Sequence, residues 1–154
     1  MIIKRIEEAT MKFLSFSYND KELYGVKVKR EESAWDLIKV LEDFDNENII
    51  PKTLREAIEV YGVSFIEKVR KVLKVVEESG KANDYKVPFD KIIWRSPITR
   101  TPKNILCVGH NYEAHVNELG DELAKTPKDV LIFTKATTAL AGNNEVVPSH
   151  KDIT

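Results

Sequence analysis

The sequence predicts an α+β fold, and three observations predict it. Two strand-like runs, Lys12 to Ser17 and Glu22 to Lys29, flank the turn dipeptide Asn19-Asp20. Two openings of the Thr/Ser-x-x-Glu kind, Thr53-Leu-Arg-Glu56 and Ser64-Phe-Ile-Glu67, precede apolar residues at helical spacing. Beyond residue 90 the pattern changes to short apolar runs punctuated by Gly, Pro and Asn, which reads as further strands. The expected division is a small α+β domain over 1–90 and a second, strand-rich part over 91–154. The boundary falls in the polar connector 81–91 with its Pro88.

Taken in order, residues 1–10 precede a more typical domain start at Met11, and they read either as an alternative-start extension or as a short helix. The first two strands form an antiparallel hairpin. Ser33 is expected to open a helix, with Asp36 in the capping-box position and Trp35, Leu37, Ile38, Val40 and Leu41 following. Asp43 to Asn48 is an acidic loop with nothing to organise it around a cation. Thr53 caps a helix that stops before Gly62. Ser64 caps another, whose Phe65, Ile66, Val69, Val72, Leu73 and Val76 form one stripe and whose end is marked by Gly80. Ile92 to Arg95 is a short strand carrying Trp94, and Pro97 and Pro102 hold an extended crossing after it. Ile105 to Val108 reads as a buried strand. Residues 120–128 form a polar loop, read equally as a lid or as ordinary surface. Val130 to Thr134, Thr137 to Ala141 and Val146-Val147 are the remaining expected strands.

Composition bounds the partners. An apolar fraction of 42% supports a packed core rather than disorder. A formal net charge of -1 gives no electrostatic attraction to nucleic acid or to an anionic membrane. The one cysteine, Cys107, has no partner for an internal disulfide, which suits a cytoplasmic setting, and its apolar strand makes it core filler rather than nucleophile. No apolar run reaches membrane-spanning length.

The chemistry concentrates in Ile105-Leu-Cys-Val-Gly-His-Asn-Tyr-Glu-Ala-His-Val-Asn-Glu-Leu119. Gly109 permits a sharp turn after the strand, and Asn111 is placed to cap a following helix. On that helix His115 and Glu118, three apart, share a face. A carboxylate beside an imidazole fixes its tautomer and raises its basicity, which is what a general base acting on water needs. Most pairs at this spacing are solvated surface pairs, so spacing alone does not make them catalytic. His110 and His115 are five apart and do not match a helical zinc pair.

The longer wording Ser96-Pro-Ile-Thr-Arg-Thr-Pro-Lys-Asn-Ile-Leu-Cys-Val-Gly-His-Asn-Tyr-Glu-Ala-His115, with Leu131-Ile-Phe-Thr-Lys135 and Pro148-Ser-His-Lys-Asp-Ile-Thr154, resembles the fumarylacetoacetate hydrolase family. The likeness is strongest to its small bacterial acylpyruvate hydrolase and oxaloacetate decarboxylase-like branch. It covers residues 90–154 in specific motifs and 11–90 in general layout. Two departures stand out: His110 replaces the family's Lys or Arg, and Phe133-Thr-Lys-Ala136 lacks its proline.

The resemblance implies a C–C hydrolase or decarboxylase acting on a small keto acid of the 1,3-dicarbonyl type, with bound magnesium or manganese; a homo-oligomer, such as a dimer, is expected because a cut sheet leaves unpaired edges and apolar faces. His115 and Glu118 would be catalytic. His110, Asn111, Tyr112 and Lys135 would contact or position substrate, and His150 would lie on the surface. Residues 91–154 would begin a mixed β-roll. The family's metal ligands, a Glu-x-Glu pair and a later Asp, would fall past Thr154, so the expectation is a front part that is inactive or nearly so by itself. The alternative from another class is a stand-alone α/β module over 11–90, kept for binding or assembly.

Overall fold

Strands β1 (Met11–Tyr18) and β2 (Lys21–Val28) pair antiparallel, with Met11 opposite Val28 and Tyr18 opposite Lys21. Asn19 and Asp20 both take positive φ, 49° and 59°, the two-residue loop whose twist matches that of the flanking strands. The structure, a computed structural model, describes residues 11–28, 30–46, 49–110, 112 and 130–149.

Three short strands extend the hairpin into a five-stranded sheet of antiparallel neighbours. They are β3 (Ser33–Asp36), β4 (Lys86–Pro88) and β5 (Ile93–Arg95), in the order β4-β3-β2-β1-β5. Helices α1 (Leu37–Phe44), α2 (Leu54–Tyr61) and α3 (Phe65–Glu78) cover one face. There Tyr24, Val26, Val28 and Trp35 meet Leu37, Val40, Leu41, Leu54, Phe65, Val69, Leu73 and Val76. Leu14, Phe16, Ala34 and Val87 occupy the other face, with Phe89, Ile92 and Trp94 packed against them. Mixed helices and antiparallel sheets make this an α+β fold, as expected.

Several local expectations are corrected. Ser33 does not open a helix. It starts β3, held by Gly25 opposite Asp36 on one side and by Pro88 opposite Ser33 on the other. Asp36 is the cap of α1 instead, its Oδ1 accepting from the Lys39 N–H at 3.1 Å. Thr53 does cap α2, accepting from the Glu56 N–H at 3.1 Å, and Gly62 ends it at φ 54°. Ser64 caps nothing: a 3-10 turn over Gly62–Ser64 runs into α3, and its hydroxyl donates back to the Tyr61 carbonyl at 2.6 Å. The connector 81–91 holds β4, whose Val87 is buried. Neither Thr137 to Ala141 nor Val146-Val147 forms a strand.

Among the described residues the chain divides into two compact units. One runs to Thr99 and takes up the stretch from Ala141; the other is Arg100–Leu140. The division anticipated near residue 90 falls inside the first unit, because β5 pairs with β1, Phe16 opposite Trp94. Two buried serines fasten it: Ser15 Oγ donates to the Pro97 carbonyl at 2.7 Å, and Ser17 Oγ accepts from Arg95 Nε at 2.9 Å. Among the described residues no helix is long and apolar enough to cross a membrane.

Two electrostatic features tie α1 to its surroundings. Lys68 on α3 reaches Asp45, just past the C-terminal end of α1, at 2.7 Å, with the side chains 14% and 10% exposed. Asp45 sits where the helix dipole disfavours an anion, so the lysine offsets both the dipole and the burial. Replacing the aspartate as Asp45→Ala removes one partner of a largely buried ammonium, which keeps its place 4.7 Å from the centre of the Tyr61 ring, and should cost about 1.5–3 kcal/mol in denaturant unfolding. Asp45→Ala with Lys68→Met should recover part of that loss.

The second feature is Asp36 itself. Burial raises its pKa above the usual carboxylate value, only partly countered by the N–H groups of Lys39 and Ile38. A carboxyl with a raised folded pKa binds its proton more tightly in the folded chain. Its contribution is therefore present below the unfolded value of about 3.9 and is lost as pH rises through the folded one. Asp36→Asn keeps a capping side chain and removes that dependence. Urea midpoints of the variant should match the parent at pH values below about 3.9 and exceed it at neutral pH. A constant difference across the range would refute the assignment.

Candidate functional site

The segment singled out for chemistry begins with β6 (Ile105–Gly109) and is followed by β7 (Leu131–Lys135), the antiparallel pair of the second unit. The register sets Gly109 opposite Leu131, Cys107 opposite Phe133 and Ile105 opposite Lys135. The chain thus leaves β6 and re-enters β7 at the same end of the pair. His115, Glu118 and Asn111 lie outside the described residues, as does His150.

His110 is described and carries the turn. Its φ is 51°, so the left-handed backbone lies one residue after Gly109, on a residue with a Cβ. The glycine serves another purpose: a Cβ at 109 would meet the Leu131 side chain at 2.7 Å. Tyr112 is exposed. Lys135 is brought together with neither. It lies four residues along β7 from the end nearest His110, roughly 13 Å at the rise of an extended strand, and is itself exposed.

The expectation of a buried strand at Ile105 to Val108 is corrected. Leu106 is 74% and Val108 54% exposed, and across the ladder Ile132 is 62% and Phe133 43% exposed. The pair is apolar on both faces: Val108 lies opposite Ile132, and one step away Cys107 lies opposite Phe133. Among the described residues no three His, Cys, Asp or Glu side chains gather to hold a metal ion. They therefore supply no fit for magnesium or manganese.

A groove of about 340 Å³ opens in the first unit, lined among others by Lys12, Leu14, Lys27, Trp94, Pro97 and Gly142. None of these was singled out from the sequence as a functional residue. A signal was available, since a two-residue turn at Asn19-Asp20 fixes the register and sets Lys12 opposite Lys27.

Among proteins of known sequence, the chain is similar to uncharacterized proteins of Staphylococcus aureus, including those of strains USA300, NCTC 8325 and N315. Each is 48% identical over 145 residues, which is 94% of this chain and 47% of the relative. The chain spans about half the length of the curated relatives it matches. No protein-family model matches it.

Proposed function

We propose that the chain supplies the base-bearing part of a fumarylacetoacetate hydrolase-like enzyme that cleaves or decarboxylates C–C bonds of 1,3-dicarbonyl acids. The motif around Gly109 to Glu118 suggests the reading. The observation that carries it is the β6–β7 pair, apolar on both faces, as strands covered on both sides are. That fits the start of a β-roll completed by more chain, and relatives twice as long are consistent with it.

In this reading His115, oriented by Glu118, takes a proton from water. The hydroxide adds to the carbonyl carbon, the C–C bond breaks, and its electron pair leaves as an enolate. The imidazolium returns its proton to that enolate, so protons balance. In decarboxylation the enolate arises by loss of carbon dioxide and the dyad supplies the proton alone. A divalent ion, when bound, would stabilise the enolate charge. His110 and Tyr112, at the mouth of the segment, would position substrate.

A second reading, a stand-alone α+β module for binding or assembly, is favoured by one observation: the first unit closes its own core around Trp35, Tyr24 and Leu41.

The two readings separate on one measurement. In the protein at the length of its relatives, oxaloacetate or an acylpyruvate should be consumed in the presence of magnesium or manganese. His115→Gln should lower kcat by about a hundredfold to ten-thousandfold, and Glu118→Gln should lower it and shift the pH profile. Absence of turnover with every such acid, or turnover unchanged by His115→Gln, overturns the enzymatic reading and leaves the module.

A further inference from the structure

The groove of the first unit has a chemical character of its own. Lys12 and Lys27 stand directly opposite each other on β1 and β2. Like charges facing across a ladder repel, so the pair costs stability and nothing in the sheet requires it. Lys27 is partly engaged, 3.4 Å from the exposed Glu32 and 4.7 Å from the centre of the Phe89 ring. Lys12 is exposed and has no ion pair or ring contact among the described residues. Arg95 also lines the groove, but it is held by Ser17 and by Glu145 at 2.8 Å.

The rest of the lining is mainly apolar, with Leu14, Trp94 and Pro97 prominent. The wall from Ala141 to Asn143 is fixed in place. Gly142 lies so close to the Trp94 backbone that a Cβ would collide with it, and its N–H donates to Glu145 Oε2 at 2.6 Å. The volume sits at the lower end of the range for small-molecule pockets, which are apolar with a few convergent polar groups. Lys12 and Lys27 line the groove from facing ladder positions, and their positive charge favours an anion while the walls favour an apolar body.

We infer that this groove binds a small organic anion, a carboxylate on an aromatic or branched apolar body, with its charge at Lys12 and Lys27 and its body against Leu14 and Trp94. The site lies wholly within the first unit and does not depend on the dicarbonyl reading.

The test uses the full chain labelled with nitrogen-15 and three probes of one shape: 1-naphthoate, neutral 1-naphthol and cationic 1-naphthylmethylammonium. Naphthoate should shift the amides of Lys12, Leu14 and Gly142 and the Trp94 indole saturably, and should bind about tenfold more tightly than the cation. Lys12→Gln, a change at an exposed position, should weaken naphthoate about fivefold or more and leave naphthol unchanged. Lys12→Glu should reverse the preference between the charged probes. Equal binding of all three, shifts mapping outside the groove, or naphthoate affinity unchanged in Lys12→Gln overturns the proposal. Groove signals that broaden with protein concentration and resist naphthoate also overturn it, since the face would then be a contact between copies of the chain.

Discussion

β1 and β2 bury side chains on both faces of a single ladder, and the first unit is built outward from that constraint. Tyr24, Val26 and Val28 point to the helices while Leu14 and Phe16 point away. Each fully buried side chain of this size contributes roughly 1.5–3 kcal/mol of transfer free energy. A slip of one residue would exchange the two sets and present Lys12 and Lys27 to the helical layer, so the register is strongly specified. The turn at Asn19-Asp20 sets the same register from the local side, and the two requirements agree. Gly25 then matters for a different reason than flexibility. It lies opposite Leu14, and a Cβ there would strike the Trp35 carbonyl, so only glycine lets β3 approach β2 so closely.

That close approach delivers Trp35, the largest fully buried side chain, beneath α1 and α3. Its indole N–H donates to Glu31 Oε2 at 3.0 Å, while Glu31 Oε1 takes the Lys86 ammonium at 2.9 Å. The same ammonium lies 4.5 Å from the centre of the indole ring. One carboxylate thus satisfies a buried donor and anchors β4 at the sheet edge, where Lys86 is the register partner of Trp35. The chain passes from β3 into α1 without a loop, because Asp36 is at once the last strand residue and the helix cap. Tyr24 marks a cost in this arrangement: its hydroxyl is buried without a hydrogen-bond partner among the described residues, and burial pushes its pKa up.

How much of this the sequence disclosed depends on how local each signal is. The hairpin, the Thr53 cap, the Gly62 stop and most of the α3 stripe were legible because a few neighbouring residues decide them. Ser33 misled because pairing with β2 and β4 outweighs a local capping pattern. Ser64 misled because its backbone is already helical, φ -76° and ψ -10°, so the side chain has no cap position to fill. β4 was missed because a single buried residue, Val87, defines it. The run Ile105 to Val108 showed that both faces are apolar but could not show whether anything covers them. Of the candidate site, the sequence singled out His110, but only the backbone reveals that it, rather than Gly109, carries the left-handed turn.

The separation of His110 from Lys135 bears on how a dicarbonyl acid could be held. A substrate carboxylate at Lys135 would sit by the Ile105 end of the β6–β7 pair, whereas the segment bearing His115 and Glu118 joins the other end. A lysine side chain is shorter than the four-residue stretch of strand between them, roughly 13 Å. If the base works near the turn, the substrate's charge must be met there by another group. His110, the left-handed residue that follows β6, is the nearest described candidate. Under the proposed reading, position 110, where the resembled family carries Lys or Arg, is therefore where substrate capture should differ most, because a histidine side chain is shorter than either.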